Sequence, residues 1–255
     1  MRQASCSADL EAAAACRSYI MRVLVITGAG VSAESGIPTF RGEDGYWRNF
    51  DAAKLATPEA FERDPKLVWE WYSERRQRVS NARPNLGHEA IAKLAEKADE
   101  FLLLTQNVDD LHARAGMPKE KMVQIHGDIF VTKCSRCDFR RDHDHEQGQE
   151  DLLPRCPECD ALMRPGVVWF GEQLPWSEVK RVENYLNRGP CDLVIVAGTT
   201  ATFGYIIDWA LRASRCGGEL IEVNPEETPI SQFATQLVRE PAAIALPRIV
   251  DAIVS

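Results

Sequence analysis

The informative part of the sequence opens with Arg22-Val-Leu-Val-Ile-Thr-Gly28-Ala-Gly-Val-Ser-Ala33. Its first half is dominated by Val, Leu and Ile, which is typical of a strand that is buried on both faces. The turn that follows has the pattern G-x-G-x-x-A, whose glycines let backbone N–H groups approach a pyrophosphate closely. The motif alone is weak, so an ordinary tight turn from a strand into a helix is the alternative interpretation.

The same strand signal recurs along the chain and alternates with amphipathic segments. Further buried strands are predicted at 101–105, 193–197 and 220–224. Helices are predicted at 65–80, 86–98, 176–186 and 206–214. Alternation of this kind predicts an α/β fold with a doubly wound, mostly parallel, Rossmann-like sheet. Ligands of such folds bind at the carboxyl ends of the strands, and each motif described below directly follows a strand.

One region, residues 132–164, interrupts the alternation. It carries two C-x-x-C pairs separated by 18 residues, formed by Cys134, Cys137, Cys156 and Cys159. Two such chelating pairs favour a closed tetrahedral zinc site that stabilises structure and leaves no open position for catalysis. We therefore expect a small zinc-binding module at 132–164, inserted into a Rossmann-like domain that comprises residues 1–131 and 165–255.

Composition limits the classes of function. The chain has 255 residues, of which 45% are hydrophobic and 27% charged, so it can bury a substantial core. Its net charge of −8 argues against a nucleic-acid-binding surface, and no apolar run is long enough to span a membrane. The remaining four of the eight cysteines are scattered and no secretion signal is found, so we expect a reducing compartment, the cytoplasm. We also expect a monomer.

Four further motifs carry polar groups suited to chemistry. The segment Thr105–His112 places Gln106, Asn107 and Asp109 at a strand end, where they can bind hydroxyls, although a helix N-cap is the plainer interpretation. His126, in Ile-His-Gly, has an ordinary pKa near 6.5 and can act as a general base, although a lone histidine is usually structural. Gly198-Thr199-Thr200 and Asn224-Pro225-Glu226 follow the last two predicted strands.

Together these motifs resemble the sirtuins, the NAD-consuming protein deacylases, over the chain from about residue 10 to its end. The resemblance is carried by the glycine turn with Ser35-Gly-Ile-Pro-Thr-Phe-Arg-Gly42, by Gln106-Asn107-Val-Asp109, by Ile125-His126-Gly127 and by the cysteine quartet. It implies an NAD site formed by Gly28, Ala29, Gly30, Glu34, Thr39, Phe40, Arg41, Trp47, Gln106, Asn107, Asp109, His126, Gly198, Thr199, Thr200, Asn224, Pro225, Glu226 and Ala242.

The resemblance also implies roles. His126 becomes the general base on the NAD ribose, with Asn107 and Asp109 beside it as catalytic residues. Val168-Trp169-Phe170-Gly171 becomes a segment that pairs through its backbone with an acyl-lysine peptide, although a plain buried strand is the alternative. The chain departs from the family where Thr200 replaces a serine and where Phe203 and Tyr205 replace a small apolar residue and a proline. We expect those rings at the adenosine end of the NAD site, remote from the chemistry.

The expected function is NAD-dependent deacylation of protein lysines, which yields nicotinamide, free lysine and O-acyl-ADP-ribose. Tyr72 and Arg75 lie three residues apart on a predicted helix and resemble a pair found in the desuccinylase and demalonylase branch of the sirtuins. That likeness implies a preference for acidic acyl groups over acetyl. Two alternatives stay open: a mono-ADP-ribosyltransferase on the same scaffold, and a non-enzymatic module that binds NAD or a peptide.

Overall fold

The computed structural model describes residues 21–39, 52–142 and 153–255. Phe40, Arg41 and Trp47 therefore lie outside the described residues. The strands are β1 Arg22–Thr27, β2 Glu100–Thr105, β3 Met122–Gln124, β4 Gly127–Cys134, β5 Arg140–Arg141, β6 Met163–Val167, β7 Leu193–Ala197, β8 Glu219–Val223 and β9 Gln236–Val238. The helices are α1 Ala52–Leu55, α2 Pro58–Arg63, α3 Pro65–Asn81, α4 Leu86–Lys97, α5 Leu111–Arg114, α6 Trp176–Asn187, α7 Gly204–Ser214 and α8 Ala242–Val254.

A six-stranded parallel sheet forms the centre of the fold, in the order β3-β2-β1-β7-β8-β9. The central strand β1 is buried along its whole length, as its run of aliphatic residues predicts. The chain moves outward from β1 first in one direction, through β2 and β3, and later in the other, from β7 to β9. This arrangement confirms the predicted doubly wound α/β fold and creates a switch point between β1 and β7.

Helices cover both faces of the sheet. Successive side chains of β1 point to opposite faces, so Val23 packs with Leu94 of α4 and Leu246 of α8, whereas Leu24 packs with Val182 of α6 on the other face. Both layers hold the strands rigidly. The loops at their carboxyl ends are therefore presented from a fixed support.

A second, three-stranded antiparallel sheet has the order β5-β4-β6. Residues 132–164 interrupt the predicted alternation of strands and helices, but β4 extends into this region from Gly127 and β6 leaves it at Val167. The apolar residues of β4 lie just before residue 132, the expected start of the zinc module, so the sequence pattern did not indicate that the strand continues into the module. The division of the chain into two domains stays a prediction.

Helix α3 brings a group of side chains against this second sheet. Asp64 caps its first turn, with its carboxylate accepting from the Leu67 N–H at 3.0 Å, and proline occupies the first helical position. Tyr72 of α3 packs against Ile129 of β4 and against Trp169, which follows β6. Within the described ranges, no helix is both long and apolar enough to cross a membrane.

Candidate active site

Two glycine turns meet at the switch point between β1 and β7. The Gly30 N–H donates to the Gly198 carbonyl at 2.8 Å, and Gly28 donates to the Ala197 carbonyl at 3.1 Å. A Cβ atom at Gly30 would lie 2.8 Å from the backbone of Gly198, and Gly198 itself has a φ of +59°. The turns therefore pack backbone to backbone, which no residue with a side chain would allow without displacement.

A cleft of about 600 Å³ opens above these turns. The expected cofactor residues that line it are Gly28, Ala29, Gly30, Glu34, Thr39, Gln106, Asn107, His126, Gly198, Thr199, Thr200, Asn224, Pro225, Glu226 and Ala242. All six expected substrate residues line it as well: Tyr72, Arg75, Val168, Trp169, Phe170 and Gly171. Residues that are distant in the sequence thus meet in one space, at the carboxyl ends of the strands.

Hydrogen bonds fix the floor of the cleft across three strand ends. The Gln106 side-chain amide donates to the Thr199 hydroxyl at 2.9 Å. The Asn224 side-chain amide donates to the Thr199 backbone carbonyl at 3.1 Å. Polar groups from β2, β7 and β8 are therefore held at fixed positions, as binding of a polar ligand requires.

Asp109 lies beneath the cleft and does not line it. Its carboxylate accepts from the Ser32 hydroxyl at 3.0 Å and from the Leu111 N–H at 3.1 Å. The Asn107 amide in turn donates to Ser32 at 3.1 Å. Burial raises the pKa of Asp109 to about 6, against the hydrogen bonds that favour its charged form. Hydrogen bonds through Ser32 and Asn107 thus connect Asp109 to the cleft.

His88 and His112 form a buried pair below the same network. Their rings lie 4.7 Å apart, and His88 contacts the Ser32 hydroxyl through Nε2 at 3.3 Å. The His112 Nε2 atom lies 3.1 Å from the Thr27 hydroxyl. Burial lowers the pKa of His88 to about 4, and it also holds the pKa of His112 below its ordinary value.

His126 lies between β3 and β4, with its ring at the cleft. Its Nδ1 atom is 3.0 Å from the Gln106 backbone carbonyl, which can only accept, so Nδ1 carries the proton of the neutral ring. Its Nε2 atom then accepts from the Tyr205 hydroxyl at 2.7 Å. Burial lowers the pKa of His126, whereas the hydrogen bond to the Gln106 carbonyl raises it. The ring is therefore held in the neutral form, with Nε2 unprotonated, as a base requires.

The expectation for Phe203 and Tyr205 was wrong in one respect. Both rings line the cleft, but they lie beside His126 and not at a site remote from it. The Phe203 ring stacks on Tyr205 with centroids 5.5 Å apart, and it meets the edge of His126 at 5.8 Å. Helix α7 begins at Gly204, and Tyr205 in its first turn points toward His126. Sequence spacing alone could not reveal that direction.

A second group of side chains closes the opposite wall of the cleft. Tyr72 is 1% exposed and Arg75 is 9% exposed, so neither side chain of this pair is solvated. The Trp169 indole N–H donates to the Tyr72 hydroxyl at 3.0 Å. The Arg75 guanidinium lies over the Trp71 ring at 4.7 Å and over the Tyr72 ring at 5.3 Å. Burial raises the pKa of Tyr72, so its phenol keeps its proton.

The segment that begins at Val168 is a turn held by hydrogen bonds and not an extended strand. Val168 donates its N–H to the His126 carbonyl at 2.8 Å, and Trp169 donates to the Glu172 carboxylate at 2.8 Å. Arg164 pairs with Glu172 at 2.5 Å and lies 3.2 Å above the Trp169 ring. Sequence reasoning missed Arg164 and Glu172. Their spacing of eight residues gives no sign that a turn brings them together.

A buried ion pair supports the other end of the cleft. Glu222, on β8, is 1% exposed and accepts from Arg239 at 2.7 Å. Arg239 also donates to the carbonyls of Asn224 and Glu226, at 3.2 Å and 3.1 Å. Both of those residues line the cleft. The pair therefore fixes the turn that follows β8, which is a second feature that the sequence did not indicate.

The four cysteines of the quartet converge, as predicted. Their sulfur atoms all lie within 4.8 Å of one another, and two backbone N–H groups, of Arg136 and Cys137, point at the Cys134 sulfur at 3.3 Å and 3.4 Å. Four thiolates at such distances, with N–H groups directed at sulfur, fit a tetrahedral zinc ion. Cys134, Cys137, Cys156 and Cys159 would hold it.

Comparisons with known proteins agree with this architecture. The Sir2 family model matches residues 28–203. An NAD-dependent protein deacylase of Aquifex aeolicus (strain VF5) is 44% identical over 231 residues, which cover 91% of this chain and 95% of that protein. The crystal structure of a Sir2 homologue in complex with NAD superposes with a TM-score of 0.83 at 41% identity, covering 92% of this chain and 91% of that one.

A third relative is a Sir2 complex with a p53 peptide and NAD⁺. It superposes with a TM-score of 0.77 at 31% identity, and the match covers 91% of this chain and 92% of that chain. Sequence and fold thus agree over nearly the same span. The chain belongs to the Sir2 family.

Proposed function

We propose that this chain is an NAD-dependent protein-lysine deacylase that prefers acidic acyl groups, succinyl and malonyl, and removes acetyl more slowly. The first part is supported by the relatives, which are named NAD-dependent protein deacylases, and by the solved complexes with NAD and with a peptide. The acyl preference is supported by the wall of the cleft that contains Arg75.

The NAD-binding end is formed by the crossing glycine turns and the ends of β7 and β8. The N–H groups of Gly28 and Gly30 bond across the turns, so the backbone of Ala29 between them is suited to the pyrophosphate, and Asn224 to a ribose. When bound, NAD supplies the ribose carbon that receives the acyl oxygen as nicotinamide leaves. His126, held neutral with its Nδ1 proton on the Gln106 carbonyl, provides the base for the ribose hydroxyl.

The acyl preference rests on one observation, the basic group in the cleft. Among the described residues that line the cleft, Arg75 is the sole lysine or arginine. It is nearly buried beside the phenol of Tyr72, whose oxygen already accepts from Trp169 and whose proton can be directed at a ligand. A guanidinium and a phenol together recognise a carboxylate at the end of an acyl chain.

The size of the preference follows from the energy of such bonds. A hydrogen bond to a charged group contributes about 1.5–3 kcal/mol, which corresponds to about a tenfold to hundredfold preference for succinyl over acetyl in kcat/KM. An acetyl group offers no carboxylate to the guanidinium and so gains none of this energy. Discrimination therefore comes from the carboxylate that one substrate has and the other lacks.

The test compares succinyl-, malonyl- and acetyl-lysine peptides with the wild type, Arg75→Met and Arg78→Met. Arg78 is a matched control, since it lies one turn further along α3 and pairs with Glu74 at the surface. The wild type and Arg78→Met should prefer succinyl-lysine, whereas Arg75→Met should lose succinyl activity and keep or gain acetyl activity. A wild-type preference for acetyl, or an unchanged ratio in Arg75→Met, would refute the acyl assignment.

Mass spectrometry of the same reactions separates the reaction classes. A deacylase forms O-acyl-ADP-ribose with one nicotinamide per lysine, whereas a mono-ADP-ribosyltransferase increases the mass of the protein acceptor. A module without activity would leave NAD intact. We further propose that the protein is a monomer and acts in the reducing cytoplasm without nucleic-acid partners. The four clustered thiols support the compartment, and the net charge of −8 argues against nucleic-acid binding. Light scattering tests the monomer.

A further inference from the structure

The base of the proposed reaction already has a partner. The Tyr205 hydroxyl lies 2.7 Å from His126 Nε2, and Nδ1 of the same ring donates to the Gln106 carbonyl. A neutral imidazole has a single unprotonated nitrogen with one in-plane lone pair. That lone pair is directed at Tyr205, so a ribose hydroxyl that approached Nε2 directly would have to replace the phenol.

The Tyr205 ring is held in place on both sides. It stacks on Phe203 with centroids 5.5 Å apart and planes inclined by 14°, and it packs on Trp209 at 5.1 Å. The Trp209 indole N–H is itself fixed by Glu183 at 2.8 Å. Tyr205 also belongs to the first turn of α7, and not to a loop. Moving the phenol away would break two aromatic contacts.

The phenol oxygen still has capacity to accept a hydrogen bond. Within the part of the chain that the structure describes, His126 is the single hydrogen-bond partner of the Tyr205 hydroxyl. Tyr205 and His126 both line the cleft that the ribose would occupy. A hydroxyl that donates to a base and can accept from a substrate is placed to pass a proton between them.

We propose that Tyr205 is a catalytic residue that relays the ribose proton to His126, an inference that rests on the proposed deacylase function. In this step the ribose O–H bond breaks, and its proton forms a new O–H bond at Tyr205. The original phenol proton forms the N–H bond at Nε2. The electron pair left on the ribose oxygen forms the bond to the acyl carbon of the cationic imidate, whose C=N π pair moves onto its nitrogen. The positive charge is thereby transferred from the imidate to His126.

The electrostatics of the site are consistent with transfer in a single concerted step. Burial raises the pKa of Tyr205, so a free phenolate is disfavoured and the phenol must gain one proton as it loses the other. The Gln106 carbonyl accepts a hydrogen bond from the Nδ1–H group and so stabilises the imidazolium that forms. No group other than these is needed for the proton to leave the ribose.

The test uses Tyr205→Phe, which removes the hydroxyl and keeps the ring contacts. Tyr185→Phe is the matched control, because its hydroxyl donates to the Val23 carbonyl at 2.7 Å, within the sheet. Two steps are followed with an acyl-lysine peptide: exchange of labelled nicotinamide into NAD, which needs no base, and single-turnover formation of O-acyl-ADP-ribose. NAD binding by calorimetry and the ¹⁵N resonance of His126 Nε2 provide readouts that do not depend on activity.

We expect Tyr205→Phe to slow O-acyl-ADP-ribose formation by about a hundredfold, with exchange and NAD affinity within about threefold of wild type. The Nε2 resonance should move downfield as its hydrogen bond is lost. Because the two residues act in series, Tyr205→Phe with His126→Ala should be no slower than His126→Ala alone. Tyr185→Phe should leave both steps unchanged.

Wild-type turnover in Tyr205→Phe would overturn the relay and would mean that the ribose replaces the phenol at Nε2. An equal loss of exchange and of product formation would overturn it too, because the defect would then be structural. Additive effects in the double variant would have the same meaning. If the wild type itself released no nicotinamide, the proposed function would fail, and the relay with it.

Discussion

Replacement of Arg239 by methionine should damage the protein in two separable ways. The substitution removes the cation that pairs with Glu222, a carboxylate that is 1% exposed and that also accepts from the Ser231 hydroxyl at 2.5 Å. It also removes the donor that holds the carbonyls of Asn224 and Glu226 at the edge of the cleft. The first loss should lower the free energy of unfolding, and the second should raise the KM for NAD.

The magnitude follows from the burial of the pair. Removing one partner of a buried ion pair costs about 3–5 kcal/mol, because the remaining charge is left without compensation. The Arg239 side chain is 32% exposed, so water can partly replace it, and the lower end of that range, about 3 kcal/mol, applies. For a chain of this size, that loss corresponds to a decrease in Tm of about 6–12 °C.

Thermal unfolding and NAD kinetics measure the two effects. Glu222→Gln combined with Arg239→Met should recover part of the lost stability, because the unpaired charge is gone, but should not restore the KM for NAD. Arg248→Met is the control, since its partner Glu240 and its own side chain are exposed. A decrease in Tm below about 2 °C for Arg239→Met, or one that matches Arg248→Met, would contradict the reasoning.

Two further predictions concern the metal centre and the effect of pH. Freshly purified protein should contain one zinc ion per chain, and Cys156→Ser should lose zinc and Tm together, as metal analysis and thermal unfolding would show; fully active protein without zinc would contradict this. His88 has a pKa of about 4 in the fold against about 6.5 when unfolded, so its contribution of up to about 3 kcal/mol is complete above pH 6.5 and is lost as the pH falls toward 4. Urea unfolding at several pH values gives the free energy of unfolding as a function of pH. Between pH 6.5 and 4 this free energy should change less steeply with pH for His88→Asn than for the wild type, and an equal dependence would refute the assignment.

Much of the fold could be predicted, because its signals are local. The aliphatic run of β1 is buried on both faces, and β7 has the same composition and the same environment. The glycines after each of those strands are required by a contact between the two turns. By contrast, β4 was missed, since its apolar residues stand next to the cysteine module and do not alternate with a helix.

The site was predictable where a motif follows a strand and unpredictable where a side chain crosses space. His126 and Gln106 lie where the pattern places them, at adjacent strand ends. The bond from Tyr205 to His126 joins residues 79 positions apart, and it depends on the direction in which α7 leaves the sheet. The contact between Arg239 and Glu222 likewise depends on how the chain turns between β8 and β9, which spacing does not reveal.

The pairing of β4 with β6 couples the two ends of the small sheet. Cys134 is in register with Met163, and the next residue of β6, Arg164, fixes the turn beside the wall of the cleft that contains Tyr72 and Arg75. The thiolates and the turn at 168–171 are thus joined by one short strand, about 17 Å long at the usual rise per residue. If zinc binding at one end changes the affinity for a ligand at the other, linkage requires the same factor in both directions. An acylated peptide that bound more tightly to the zinc form would then raise the affinity for zinc, so substrate supply would protect the enzyme from chelators.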